Sequence, residues 1–194
     1  MNTMMLKSML GGAGLALALL AMQSATCRAE VVDKQANGFA LEEKYQIKAA
    51  PEKVYAAMIE PSRWWNSAHT FSGDAKNLTL DARAGGCWCE TLPGGGSALH
   101  MTVVNVVPGK LVRMRGALGP FQPTGMDGAM NVTFKPKDGG TLLEVSYNLG
   151  GYVNGGFDVL ATSADGVLNL QFYRLKQLIE TGSADTPRPQ GEQP

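Results

Sequence analysis

The stretch DVLATSADGVLNLQFYRLKQLIE, residues 158–180, decides how this chain folds. Leu160, Ala164, Val167, Leu168, Leu175 and Leu178 recur at the three-and-four spacing of one helical face, which predicts a long amphipathic helix. Asp158 stands where it can cap the start and Gly182 where it can end the helix. Gly166 costs such a helix about 1 kcal/mol relative to alanine, and its presence suggests close approach to another element. A helix with one apolar stripe needs a second surface to bury it against.

The residues upstream supply that surface. Phe39 to Lys48 alternates, with Phe39, Leu41, Glu43, Tyr45 and Ile47 on one side. Ala50-Pro51-Glu52 opens a short helix that Pro61 stops, and a second short turn carries Trp64 and Trp65. Strand-like runs follow at 76–83, 87–92, 98–107, 111–118, 126–135 and 141–149, separated by turn sequences such as Ala84-Gly85-Gly86 and Asp138-Gly139-Gly140. Connections this short join antiparallel neighbours. The predicted fold class is therefore α+β. A curved antiparallel sheet of about seven strands wraps on a long C-terminal helix, and two short helices follow the first strand.

The ends read differently from this domain, which spans 37–182. Lys7 precedes an apolar run from Met9 to Met22, closed by Cys27-Arg28-Ala29. This pattern predicts a signal peptide over 1–29, cleaved after Ala29, and hence a periplasmic or secreted protein. Acylation of Cys27 is the rival reading. Residues 30–36 are expected to be a flexible start, and the polar, Pro-rich 183–194 a disordered tail. No other stretch reaches the roughly 18 apolar residues of a membrane helix, so no transmembrane segment is expected in the mature protein. Seventeen basic residues balance seventeen acidic ones with no basic block, which argues against nucleic acid as a partner.

From Phe39 to Gly182 the chain resembles the START-like (SRPBCC) superfamily, the birch-pollen-allergen-like or helix-grip fold. The residues carrying the resemblance are Ala49-Ala50-Pro51-Glu52-Lys53-Val54-Tyr55, Trp64-Trp65, Gly85-Gly86-Cys87-Trp88-Cys89-Glu90, and Arg174-Leu175-Lys176 in the closing helix. It is nearest the bacterial homologues of the heat-shock chaperone ATPase activator. The superfamily also includes lipid-transfer proteins, hormone and polyketide binders and aromatase/cyclases. The resemblance implies a cavity between sheet and helix, and it implies no single activity. A chain carrying a signal peptide would not meet a cytosolic chaperone.

Pairing the strands through their turns places Leu80, Trp88, Glu90, Leu99, Met101 and Met114 on the inner face, with Glu43, Tyr45, Met130 and Tyr147. The residues expected to line a ligand site are Trp64, Trp88, Glu90, Met101, Met114, Met130, Tyr147 and Phe157. Glu43 and Glu90 are carboxylates on an apolar face, so each needs a partner or takes up a proton. If the protein is an enzyme, Glu90 with His100 is the candidate acid/base pair. Cys87 and Cys89 share a face with His100 expected opposite Cys89. Three readings stand there: free small hydrophobes, a disulfide, or a metal site of Cys87, Cys89 and His100. His69 and the Gly116–Gly125 loop with Phe121 can stand at the cavity mouth. The leading expectation is a non-catalytic binder of a small hydrophobic or amphipathic ligand, calling for no cofactor. A cyclase/dehydratase-type enzyme is the alternative and a protein-interaction module the third.

Overall fold

The computed structural model describes residues 28–188. The expected signal segment thus lies outside the described residues except for Arg28 and Ala29, as does 189–194 of the expected tail. The elements run β1 (Arg28–Gln35), β2 (Gly38–Ile47), α1 (Pro51–Met58), β3 (Leu78–Leu80), β4 (Cys87–Thr91) and β5 (Ser97–Val107). They continue with β6 (Leu111–Arg115), β7 (Gly125–Lys137), β8 (Gly140–Tyr152) and α2 (Asp158–Thr181). Single helical turns at Pro61–Arg63, Ser67–His69 and Ala75–Asn77 fill the passage from α1 to β3. One antiparallel sheet, in the order β1-β2-β8-β7-β6-β5-β4-β3, curves beneath α2. This is the helix-grip arrangement, with eight strands where about seven were expected.

The additional strand is β1, formed where a flexible start was expected. It pairs with β2 from Arg28 opposite Lys44 to Gln35 opposite Gly38, with a bulge between Val31 and Asp33. An edge strand needs only one apolar side, and its bulge breaks the row of free backbone groups that would recruit another chain. Its sequence therefore reads as polar coil. Cleavage after Ala29 would leave the pairing from Glu30 opposite Glu42 onward.

The helix buries Ala161, Ala164, Leu168, Phe172 and Leu175 against the sheet. These side chains grow along the helix, from alanine near its start to phenylalanine and leucine in its second half. The second half fills the space above the sheet, as Phe172 meets Trp64 with ring centroids 5.5 Å apart. The first half leaves space open. Asp158 is the first helical residue rather than a cap, and it pairs with Lys34 at 2.6 Å. Gly182 ends the helix at φ 85°, with its amide on the Leu178 carbonyl.

Two further expectations are corrected. Residues 183–188 are not a loose tail: Ala184 is buried, Asp185 pairs with Arg174 at 2.6 Å, and the Arg188 guanidinium lies 4.0 Å from the Tyr173 ring centre. Nor does Gly166 mark a close approach, since a Cβ built there meets no atom within 4 Å. Gly166→Ala should therefore stabilise the protein by roughly 0.5–1 kcal/mol through helix propensity alone. Thermal unfolding should show Tm rising by roughly 2–4 °C. A fall would mean that the glycine serves a contact after all.

Candidate functional site

A cavity of about 310 Å³ opens under the first half of α2. Trp65, Phe71, Trp88, Phe121 and Tyr147 supply aromatic walls, and Leu160, Ala164 and Val167 form its roof. Its mouth lies between the turn carrying His69 and Phe71, the Leu118–Phe121 loop and the helix. Both histidines of the chain, His69 and His100, border it. No Asp, Glu, Lys or Arg does so among the described residues.

Of the expected ligand residues, Trp88 and Tyr147 border this space, and the others lie elsewhere. Met101, Met114 and Met130 are packed in the core with at most 1% of their surface exposed. Trp64 is likewise buried, held by its indole N–H on the Met58 carbonyl at 3.2 Å. Phe157 sits behind the wall, edge-on to Phe39, whose ring also meets Phe121. A residue can face inward without facing the cavity, because the larger side chains of α2 cover most of the sheet. Trp65, which the sequence offers with Trp64 as a residue that can line the mouth, does line the cavity. Phe71 and the helix roof were not singled out, although the small Ala164 one helical face along from the large Phe172 was a readable signal.

Glu90 lies behind the cavity, and a bulge puts its partner there. Trp88 opposes Met101, but Cys89 opposes Leu99, so His100 is the extra residue in β5. The bulge turns His100 inward beside Met101 and turns Leu99 out to 56% exposure. This corrects two expectations, an inward Leu99 and a His100 opposite Cys89. His100 Nε2 instead meets Glu90 Oε2 at 2.9 Å, and its Nδ1 faces the Gln122 amide nitrogen at 3.1 Å. That amide can only donate, so Nδ1 accepts and the ring proton points from Nε2 to Glu90. Gln122 also donates to the Leu99 carbonyl at 3.1 Å.

Glu90 further accepts the backbone amides of Phe71, at 3.1 Å, and Ser72. Burial alone would raise its pKa. The hydrogen bonds from Ser72, His100 and Phe71 outweigh that and hold it below the usual carboxylate range. A carboxylate so saturated is a clip rather than a proton donor. It fastens the Phe71 loop to the sheet, while His100 and Gln122 reach the loop on the other side of the mouth. Tyr147 acts likewise, donating to the Gly116 carbonyl at 2.9 Å and accepting from Leu118 N at 3.2 Å. Burial raises its pKa, so the phenol stays protonated. Glu90 and His100 thus tie together the elements on both sides of the mouth.

Glu43 is a separate case under the middle of α2, away from the cavity. Its Oε2 accepts from the Tyr45 hydroxyl and from Asn169 Nδ2 at 3.0 Å, while Oε1 has no hydrogen-bond partner. Arg188 donates to Asn169 Oδ1 at 2.7 Å from the other side. Burial, opposed by the Tyr45 and Asn169 bonds, lifts the Glu43 pKa to about 7; nearby Asp165 adds to the rise and Arg188 opposes it.

The two cysteines are bonded to each other, Cys87 to Cys89, with Cα atoms 5.5 Å apart. This excludes the free-thiol and metal readings for this state. His100, the third proposed ligand, is turned to the other face by the bulge. A loop this small gains only about 1.6 kcal/mol from chain-entropy restriction, so the bridge adds little to global stability.

Two outcomes are expected. A raised folded-state pKa gives stability that is full below the unfolded value and is lost as pH rises through the folded one. From an ordinary 4.5 to about 7, the Glu43 shift corresponds to about 3 kcal/mol. Glu43→Gln should therefore be more stable than the parent in urea unfolding at pH 8.5 and nearly equal to it at pH 4.5. Glu90→Gln should behave differently, loosening the Phe71 loop. Amide hydrogen exchange at Phe71 and Ser72 should accelerate by at least ten-fold, with the core strands unaffected.

Residues 39–180 match the family model described as polyketide cyclase/dehydrase and lipid transport, and the chain belongs to that family. No curated protein matches it in sequence. Among solved structures it is similar to a conserved protein of unknown function, EF2215 from Enterococcus faecalis. The TM-score is 0.57 and identity 16%, over 83% of this chain and 80% of that one. It is similar also to CalU16 from Micromonospora echinospora (TM-score 0.53, 16% identity, 86% and 88% covered). A third is the Aha1 dimer from Colwellia psychrerythraea (TM-score 0.52, 20% identity, 74% and 97% covered). At such identities these likenesses establish the fold alone.

Proposed function

We propose that this member of the polyketide cyclase/dehydrase and lipid transport family is an exported, non-catalytic carrier of a small neutral hydrophobic molecule. The observation that carries the reading is the cavity itself, aromatic-walled, roofed by the small side chains of α2 and bordered by no formal charge among the described residues. It falls within the size range of small-molecule sites. Of the polar side chains that border it, Tyr147 and His100, the latter with Glu90 behind it, are engaged in holding its two loops, while His69, Thr70 and Ser163 also line it. That favours binding over proton transfer.

Size narrows the ligand. A volume of about 310 Å³ equals roughly ten waters at ~30 Å³ each. The guest then has roughly ten to seventeen heavy atoms, up to three aromatic rings or a medium-length chain. A diacyl lipid or a four-ring polyketide does not fit. The lining holds no Lys or Arg to pair with a carboxylate, which favours an uncharged guest. Export rests on the apolar run and small-residue cleavage pattern of 1–29. The cysteine bridge supports it, because disulfides persist in oxidising compartments.

Titration with N-phenylnaphthylamine, a neutral aromatic dye, tests the site. At roughly 0.5 kcal/mol for each of its heavy atoms, the dye should bind with a Kd of about one micromolar. Ala164→Phe, which fills the roof, should weaken binding at least ten-fold while the protein remains folded by circular dichroism. Native mass spectrometry of the purified protein should show a copurifying neutral species that this variant lacks. Equal dye binding by parent and variant would refute the site.

A further inference from the structure

We propose that the Cys87–Cys89 bridge is a thiol–disulfide exchange site that sets the affinity of the cavity, so that small thiols act on ligand binding. The proposal rests on the cavity being the ligand site. Three observations meet at the bridge. First, it flanks Trp88. Side chains alternate along a strand, so Trp88 borders the cavity while the two sulfurs lie on the opposite face of the sheet, half-buried. A thiol can approach from that side without entering the cavity.

Second, the bridge shortens β4. Two residues of antiparallel strand rise about 6.8 Å, whereas the Cys87 and Cys89 Cα atoms are 5.5 Å apart. At the same point β5 carries its extra residue, with the register shift falling between Trp88 and Cys89. A contracted strand thus lies against a lengthened one, and the bulge that turns His100 inward is matched to the bridged form. Third, Glu90 follows directly and holds the Phe71 loop at the mouth. Opening the bridge lets β4 extend by about 1 Å, which moves Trp88 in the wall and Glu90 in the clip together. Packed interiors do not absorb such a displacement without rearranging.

The chemistry is ordinary exchange. The thiolate of a small thiol attacks one sulfur, the Cys87–Cys89 bond breaks, and the other cysteine leaves as a thiolate that takes up a proton. A second thiol then displaces the first, giving its symmetrical disulfide and two protein thiols. Two thiols lose two electrons and the protein disulfide gains them; oxidised glutathione reverses the sequence. The bridged form is the tight-binding one, because its geometry sets Trp88 edge-on between Trp64 and Trp65, at 6.1 and 5.0 Å.

The test uses the full chain with Cys27→Ser, which removes the third cysteine from the thiol count. Millimolar dithiothreitol should open the bridge with the protein folded, as read by alkylation and mass. The near-ultraviolet circular dichroism of the tryptophan cluster should shift, and the Kd for N-phenylnaphthylamine should weaken at least five-fold. Reoxidation with oxidised glutathione should restore both. Adding Cys87→Ser and Cys89→Ser should fix the protein at the reduced values, indifferent to dithiothreitol. A bridge that opens only on unfolding overturns the proposal, as does one that opens with the tryptophan signal and Kd unchanged. If no form binds the dye, the cavity reading fails instead. The near-ultraviolet signal then decides alone: a shift on reduction keeps the exchange site, and a constant signal removes it.

Discussion

The structure depends on one constraint: the concave face of the sheet is covered by a single helix whose buried side chains are unequal in size. Phe172 and Leu175 fill the core with large side chains, whereas Ala164 is small and borders the cavity. Hydrophobic burial holds the second half of α2 in place, and the rigidity of that contact keeps the first half standing over empty volume. A helix with large side chains throughout would have filled the space or been lifted from the sheet. The cavity is thus the remainder left by a taper, enclosed because the aromatic loops on either side can reach across it.

Those loops have little helix or sheet of their own, and buried polar groups tie them down. Glu90 accepts two amides of the Phe71 loop, His100 and Gln122 link that carboxylate to the opposite loop, and Tyr147 bonds the backbone on both sides of Ala117. A buried carboxylate with three donors costs far less than a bare one, and its low pKa is the sign that those donors win over desolvation. Glu43 shows the opposite balance. One of its oxygens lacks a partner, and there desolvation wins. Two glutamates on one face of one sheet differ because their local donors differ.

Much of the fold was legible in the sequence, because alternation and helical spacing report directly which side of an element is dry. Glu43, Tyr45, Trp88, Glu90, Met101 and Tyr147 all proved buried as that reading implies. What stayed hidden was set by relations between elements. The bulge at His100 is invisible in β5 alone, since it exists only as a mismatch with β4. β1 is an edge strand whose residues need not be apolar. The folded-back segment to Arg188 rests on a few specific contacts, among them Asp185 with Arg174 and the stacking of Arg188 on Tyr173. Such contacts leave no periodic trace. The site was less legible than the core, because a cavity is defined by what fails to reach it.

The cysteines join these strands of the argument. An i, i+2 pair in an ideal strand lies near the limit of bridgeable separation, which is why the sequence left three readings open. The bridge holds β4 contracted, and β4 can contract because β5 supplies an extra residue opposite it. The same extra residue is the histidine that satisfies Glu90, and Glu90 is what holds the mouth. Bond, bulge and clip are therefore not independent ornaments of the sheet. Each fixes the backbone geometry that another requires, so a change in the covalent state of two sulfurs on the outer face has a mechanical route to the inner one.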